Sequence, residues 1–379
     1  MNSTGRQPVV NYPSELEENF VGDLYGYYYS DSNEYNVVRW GNSLTDIDNS
    51  PVALIGRIES TMNESQTVGD HLLRGQRTAA GLVFEVDGEV CKNQPYSLLL
   101  NIFSRNTGIL ETAVMLNKTA IISGCGSVGS LVALELARAG MGRFLLIDND
   151  TIAYHNLSRH QSGIKDVGKF KVNAVKERIV DINPSATVGT SVSIIEDVSK
   201  EVFDKFCGPD TILIGCADNR ESDYYANQIS SLYKVPFVSI GFWERAFAGE
   251  IFYYIPGEQP CYACGVGAPG TSVSGRTSRN RRFYTTEEDE ARIHFEPGIS
   301  IDIGFVTLIA TKLILDILNR NTDNYVPRVI NHLSQFTLVC NTNDARLGSE
   351  QAEIFSHPLQ ITTSIRTVFS APCPPCRLL

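Results

Sequence analysis

The feature that most constrains this chain is the run Gly124-Cys125-Gly126-Ser127-Val128-Gly129, set between a compact apolar stretch, Thr119 to Ser123, and apolar residues at helical spacing from Ser130 to Ala139. Glycines at a strand-to-helix junction let backbone amides approach a phosphate without Cβ obstruction, and the dipole of the helix they open favours its charge. A second apolar run, Arg143 to Ile147, ends in Asp148 and completes a β-α-β unit. Asp148, roughly twenty residues past the loop, stands where a carboxylate would take the two hydroxyls of a nucleotide ribose. The bland alternative is a sheet that keeps Gly124, Gly126 and Gly129 for packing alone.

The pattern continues. Lys169 to Val180 has a helical period ended by Asn183-Pro184, and Thr211 to Cys216 and Val235 to Ile240 read as buried strands. Gly249 to Ile255 alternates like a half-exposed strand, and Ile301 to Leu318 reads as a long buried helix. Between them Gly265 to Gly298, rich in Gly, Ser, Thr and Arg, reads as a mobile loop. The first hundred residues differ. Tyrosine-rich turns (Tyr25 to Tyr29), a polar loop (Gly41 to Ser50) and short apolar runs (Val52 to Ile58, Gly81 to Val86) suggest a small α+β module.

The residues after Asp148 separate a triphosphate from a dinucleotide. The run from Asp148 to His160 carries Asn156 and Arg159, and Gly168-Lys169-Phe170-Lys171 comes next. A nicotinamide has no need of an Arg and a Lys there. A triphosphate does, because its charge must be neutralised and its α-phosphate made electrophilic. Asp218 and Asn219, at the end of the next strand, supply a carboxylate that would hold Mg²⁺ over the phosphates. Taken singly, each charged residue could be a solvated loop side chain. Their ordered appearance after successive strand ends argues for a site.

These residues resemble the MoeB/ThiF superfamily, which includes the enzymes that activate ubiquitin and its relatives. The resemblance spans about Phe103 to Leu379 and rests on Gly124, Gly126 and Gly129, on Asp148 and Asp150, on Asn156-Leu157-Ser158-Arg159, on Gly168 to Lys171, on Asp218-Asn219 and on two late Cys-x-x-Cys pairs. His160 departs from the pattern, standing where the family usually has Gln. The resemblance implies a Rossmann-like mixed sheet flanked by helices, an adenylation domain over 103–379 with a small α+β module over 1–102 for recruiting a partner or carrier. It implies that Asp148 holds the ribose, that Asp150 and Asn219 join the nucleotide site, that Asn156, Arg159 and Lys171 grip the phosphates, and that Asp218 coordinates magnesium. The reaction would be attack of a carboxylate on the α-phosphate of ATP. Family members also use an arginine before the glycine loop, commonly from the partner protomer of a homodimer, and Arg105 is the candidate here.

Cys261-Tyr262-Ala263-Cys264 and Cys373-Pro374-Pro375-Cys376 supply four thiolates in two knuckles, suited to one closed tetrahedral zinc that staples the C-terminus. The alternative, redox-active pairs, lacks a thioredoxin-like context. Superfamily members that form a thioester place a cysteine in the loop before the last long helix, and Gly265 to Gly298 contains none. Cys340, in the apolar run Phe336 to Cys340, reads as a buried strand residue. The acyl group then either stops at the adenylate or passes straight to a partner's cysteine.

Phe103 to Gly108 and Gly298 to Ile303 look like bacterial members encoded beside conjugating-enzyme homologues, including antiphage conjugation operons. That implies a small ubiquitin-like protein with a C-terminal glycine as substrate and a conjugating enzyme as next partner. Two alternatives stand beside it: a sulfur-carrier adenylyltransferase of molybdopterin or thiamine synthesis, and an inactive Rossmann scaffold. The net charge of -11 over 379 residues, with a pI near 5.1, argues against nucleic acid as a general partner. Met1 to Asn11 lacks the marks of a secretory signal and no apolar stretch has membrane-spanning length, so a cytoplasmic location is expected.

Overall fold

The computed structural model describes residues 6–17, 19–41, 51–60, 72–266 and 297–363, and the chain divides into two units, Met1–Ser104 and Arg105–Leu379.

The described residues of the first unit form the strands β1 (Val9–Pro13), β2 (Gly22–Tyr29), β3 (Glu34–Trp40), β4 (Ala53–Glu59), β5 (Leu73–Thr78), β6 (Gly81–Val86), β7 (Glu89–Val90) and β8 (Lys92–Tyr96). They make one eight-stranded sheet, in spatial order β7-β6-β5-β4-β2-β3-β1-β8. Among the described residues of this unit, helical structure is a 3-10 turn, Ser14–Glu17, and one short helix, α1 (Leu98–Ile102), so over those residues the α+β mixture expected from the sequence is nearly all β. One face buries Val10, Leu24, Val37, Ile58, Leu73 and Phe84, and the far edge curls back, with Asn93 donating to the Leu82 carbonyl and Cys91 N–H to that of Phe84. Tyr25 to Tyr29, turns by their composition, are the second half of β2. Tyrosine is a strong strand former, and Gly26, which resembles turn punctuation, marks a shift of register where β2 presses on the Asn36 carbonyl.

The second unit is built on β9 (Thr119–Ser123), β10 (Arg143–Ile147), β11 (Thr187–Ser191), β12 (Thr211–Gly215), β13 (Phe237–Phe242), β14 (Ala248–Tyr254), β15 (Phe336–Cys340) and β16 (Ile361–Thr363). They lie in the order β11-β10-β9-β12-β13-β14-β15-β16, parallel from β11 to β13 and antiparallel beyond. Among the described residues its helices are α2 (Thr112–Met115), α3 (Ser127–Arg138), α4 (Lys171–Ile182), α5 (Lys200–Phe206), α6 (Arg220–Tyr233), α7 (Tyr262–Gly265), α8 (Ser300–Asn319) and α9 (Ala345–Gly348). One face of the sheet carries α3, α4 and α8 on Ile122, Leu146 and Ile214, and the other carries α5, α6 and α7 on Ile121, Leu145 and Leu213. From α8 alone Val306, Ala310, Leu313, Ile314 and Ile317 are wholly buried. Each of the larger ones contributes about 1.5 to 3 kcal/mol of transfer free energy.

Strand β14 is not half exposed: all seven residues are buried, because β13 and β15 pair on either side and both faces are covered, Ile251 and Tyr253 in one core layer, Phe252 and Tyr254 in the other. Cys340 is the last residue of β15, buried in keeping with its apolar run. Residues 267–296, most of the expected loop, lie outside the described residues, as do Cys373 and Cys376. Among the described residues no helix is long and apolar enough to cross a membrane.

The order places β9 between β10 and β12, so chain direction across the sheet reverses there. Ser123 and Gly215, the last residues of β9 and β12, are direct neighbours. In an open α/β sheet this switch point opens the crevice in which ligands bind.

Candidate active site

The loop leaving β9 turns at Gly124, whose φ of +90° suits glycine, and a Cβ there would stand 2.8 Å from the Ala217 nitrogen. Gly129, inside α3, packs against the Gly124 carbonyl too closely for any side chain. Gly126 differs from both. It caps α3 with an ordinary φ of -74°, and a Cβ would meet nothing within 4 Å. Gly126 lines the cleft, so what a side chain would obstruct there is ligand. The N-terminus of the twelve-residue α3 opens on the same place and offers amide donors and a favourable dipole to an anion.

Asp148 comes directly after β10 and is held by the loop it serves: Cys125 N–H donates to Oδ2 at 2.7 Å and Asp150 N–H to Oδ1 at 2.8 Å. Each oxygen keeps a lone pair suited to a ribose hydroxyl. The next segment is clamped onto the Gly168 turn, where φ is +89°, by Gly168 N–H to Ile152 and Lys171 N–H to Asp150. That clamp explains the Gly-x-x-Lys spacing, since it starts α4 with Lys171 beside Asp150. The Lys171 ammonium donates to Asp150 Oδ2 at 2.7 Å.

A cavity of about 220 Å³ lies at the switch point. Gly126, Asn156, Arg159, Lys171 and Asp218 line it, together with His160. Asn156 accepts Ala153 N–H through Oδ1 at 2.8 Å, which leaves an amide with two donors. Lys171 and Arg159 bring positive charge, Asp218 negative. Gly124, Gly129, Asp148, Asp150 and Asn219 stand behind or beside this lining. Asn219 caps α6, its Oδ1 accepting Ser222 N–H at 2.7 Å. Arg105 is exposed in the turn Ser104–Asn106 and does not line the cavity.

None of the phosphate-site motifs in the sequence points to the opposite wall. It comes from the end of β13 and the turn after it (Ile240 to Trp243, Ala246) and from Pro297, Gly298 and Ile303. Behind it Glu250, buried in β14, accepts both the Trp243 indole N–H and the Arg220 guanidinium at 3.0 Å. Arg220 also reaches the Tyr262 hydroxyl at 3.3 Å. Asn341 donates to the carbonyls of Ala246 and Asp302 and so ties the turn to the start of α8. The only sequence signal for Glu250 is a charged residue inside an apolar strand.

Cys261 and Cys264, flanking the start of α7, hold their Sγ atoms 3.7 Å apart, close to the roughly 3.8 Å between two ligands of one tetrahedral zinc bound at about 2.3 Å. Among the described residues no third cysteine, histidine or carboxylate joins them. Burial pushes the Cys91 and Cys207 thiols up to about 12, raises Cys340, and lifts the wholly buried Cys125 well above its ordinary value. All four are protonated at neutral pH, which is unsuited to a nucleophile.

The ThiF family matches residues 99–352. The chain is similar to ubiquitin-like modifier-activating enzyme 5 of Arabidopsis thaliana, 32% identical over 197 residues that cover 48% of this chain and 45% of that protein. It is 30% identical over 254 residues to the enzyme of the same name from Bombyx mori, covering 62% and 60%. It thus spans about half the length of the curated relatives it matches. Among solved structures, E. coli MccB with ATP superposes with a TM-score of 0.51 at 19% identity over 73% of this chain and 74% of that one. The microcin C7 biosynthetic enzyme MccB in complex with N-formylated MccA gives 0.52 at 20% over 73% and 75%. At that identity the likeness is one of fold.

Proposed function

The chain belongs to the ThiF family, and we propose that it is an ATP-dependent activating enzyme that adenylates the C-terminal glycine carboxylate of a small ubiquitin-like protein. The observation that carries this is the convergence of Gly126, Asn156, Arg159, Lys171 and Asp218, which follow the ends of three strands adjacent in the sheet, β10, β9 and β12, on one cavity. The names of the relatives from Arabidopsis and Bombyx support the choice of substrate.

The chemistry asks two anions to meet. A carboxylate oxygen attacks the α-phosphorus of ATP, a P–O bond forms, and the bond to the bridging oxygen breaks to release pyrophosphate. Arg159, Lys171, the Asn156 amide and the N-terminus of α3 offset the negative charge that gathers, in fixed positions that need no reorganisation. Lys171, resting on Asp150, is pre-placed for this. Asp148 is positioned for the ribose. A magnesium ion fits a site with one cleft carboxylate and substrate phosphates: Asp218 would hold it, and it would screen the phosphate charge. No base is needed, because the attacking carboxylate is already ionised.

The same proposal extends to three features. Arg105 reaches into the cleft of a second protomer in a homodimer. Cys261, Cys264, Cys373 and Cys376 hold a structural zinc. The acyl group leaves for a conjugating enzyme's cysteine, in a bacterial ubiquitin-like pathway of the antiphage kind, with the N-terminal unit recruiting carrier or partner. Support for direct transfer is the protonated state of the buried thiols. Incubation with ATP labelled on the α-phosphate and a candidate carrier should yield labelled carrier-adenylate. A carrier lacking its terminal glycine should yield none, and equal labelling of both would refute the substrate assignment.

A further inference from the structure

His160 is a buried, titratable residue in the cleft wall that the chemistry above does not use. Ser162 N–H donates to its Nδ1 at 3.1 Å, and its Nε2 lies 2.8 Å from the Cys125 carbonyl oxygen. A backbone amide can only donate, so Nδ1 is the bare nitrogen. The ring's proton is therefore on Nε2, and Nε2 donates to Cys125.

That carbonyl sits at the middle of the phosphate loop. Cys125 is flanked by Gly124 and Gly126, which impose little conformational preference of their own. The loop's shape must come from outside restraints. On one side Cys125 N–H is held by Asp148, and on the other Cys125 C=O is held by His160. Because a trans peptide is planar, with C=O and N–H pointing oppositely, pinning the Cys125 carbonyl also pins the Gly126 amide at the cleft wall.

We infer that His160, in its neutral form, is a positioning residue for nucleotide binding, fixing the glycine loop in the shape that accepts the phosphates of ATP. The inference rests on the reading of the cleft as the ATP site. Protonation would put a hydrogen on Nδ1 facing the Ser162 N–H, two donors against each other, and would force the ring to turn. Around the imidazole stand Lys171 from α4, which opposes its protonation, and Asp148 after β10 and Asp166 in the turn before α4, which favour it. Burial is the largest influence and lowers the histidine's pKa below its ordinary value. The neutral ring is therefore the folded state's form at neutral pH, and its hold on the loop is lost only as pH falls through that lowered value, which lies below the usual histidine value of about 6.5. A glutamine at this position keeps an uncharged N–H donor at every pH.

The test is calorimetric binding of α,β-methylene ATP to the full chain and to the H160Q and H160A variants, from about pH 7.5 to about pH 5. H160A should bind about tenfold more weakly at pH 7.5, the effect of one lost hydrogen bond. H160Q should bind within about threefold of the parent at pH 7.5. On acidification the parent's affinity should fall relative to that of H160Q. Protonation of the analogue's own phosphates is common to both chains and cancels in the ratio. Parallel pH profiles for parent and H160Q, with binding intact at pH 7.5, would overturn the role of His160 alone, and that comparison stands even if H160A fails to fold. No binding by the parent at any pH would remove the ATP reading with it.

Discussion

At the scale of single residues, the cleft makes demands that can be told apart. Lys171→Ala and Asp218→Ala should each cut adenylation by at least about a hundredfold, as expected when a charge-stabilising group of the transition state is removed, while circular dichroism and melting stay near those of the parent. Gly126→Ala is the sharper case. Its backbone suits alanine and a Cβ meets nothing, so melting should hold or rise slightly. ATP affinity should nonetheless fall about tenfold, or ~1.4 kcal/mol. An alanine variant that binds ATP normally would mean that phosphates do not approach this amide. The glycines, Asp148, Asn156, Arg159, Lys171 and Asp218 are legible because each stands at a fixed offset from a strand end. His160 and Glu250 are not, because their roles are tertiary hydrogen bonds to Cys125, Arg220 and Trp243 that no local spacing encodes. Asn219 looks like a ligand in the sequence while its side chain caps α6, two roles that one asparagine after a strand serves equally well on paper.

At the scale of elements, β14 shows what periodicity can and cannot say. Its alternation is visible, but its burial depends on β15, whose residues pair with it from 84 to 92 positions later in sequence and cover its outer edge. Inside that strand Glu250 links the turn carrying Trp243 to the start of α6. Replacing it by alanine leaves the Arg220 guanidinium, mostly buried itself, without its carboxylate. The cost should be about 3 kcal/mol, the usual result of breaking a buried pair from one side, seen as a lowered thermal transition. E250Q, which can still accept from both donors, should recover part of it. A loss below about 0.5 kcal/mol would show that the bracket between cleft wall and helix carries little. Strand β2 teaches the converse: a tyrosine-rich run with one internal glycine looks like a turn until the register shift at Gly26 places it in a sheet.

At the scale of the whole molecule, the sequence discloses the second unit better than the first. A doubly wound sheet announces itself through strand, loop and helix in order, and its ligand crevice is set by topology. The first unit's strands β1 and β8 pair across about eighty residues, a contact that no short window contains. The two cysteine knuckles are also a long-range feature. If they share a zinc, the purified chain should carry about one equivalent, and its removal by a chelator should lower the melting temperature of the second unit; a zinc-free chain with unchanged melting would discount the staple. The measurement that bears most directly on the central claim is exchange of labelled pyrophosphate into ATP by the purified chain, run with a candidate ubiquitin-like protein and with the same protein shortened by its terminal glycine. Exchange that requires the intact terminus and vanishes in Lys171→Ala is expected. Exchange that persists without the terminal glycine, or that is absent with every such protein while the chain still binds ATP, would contradict it.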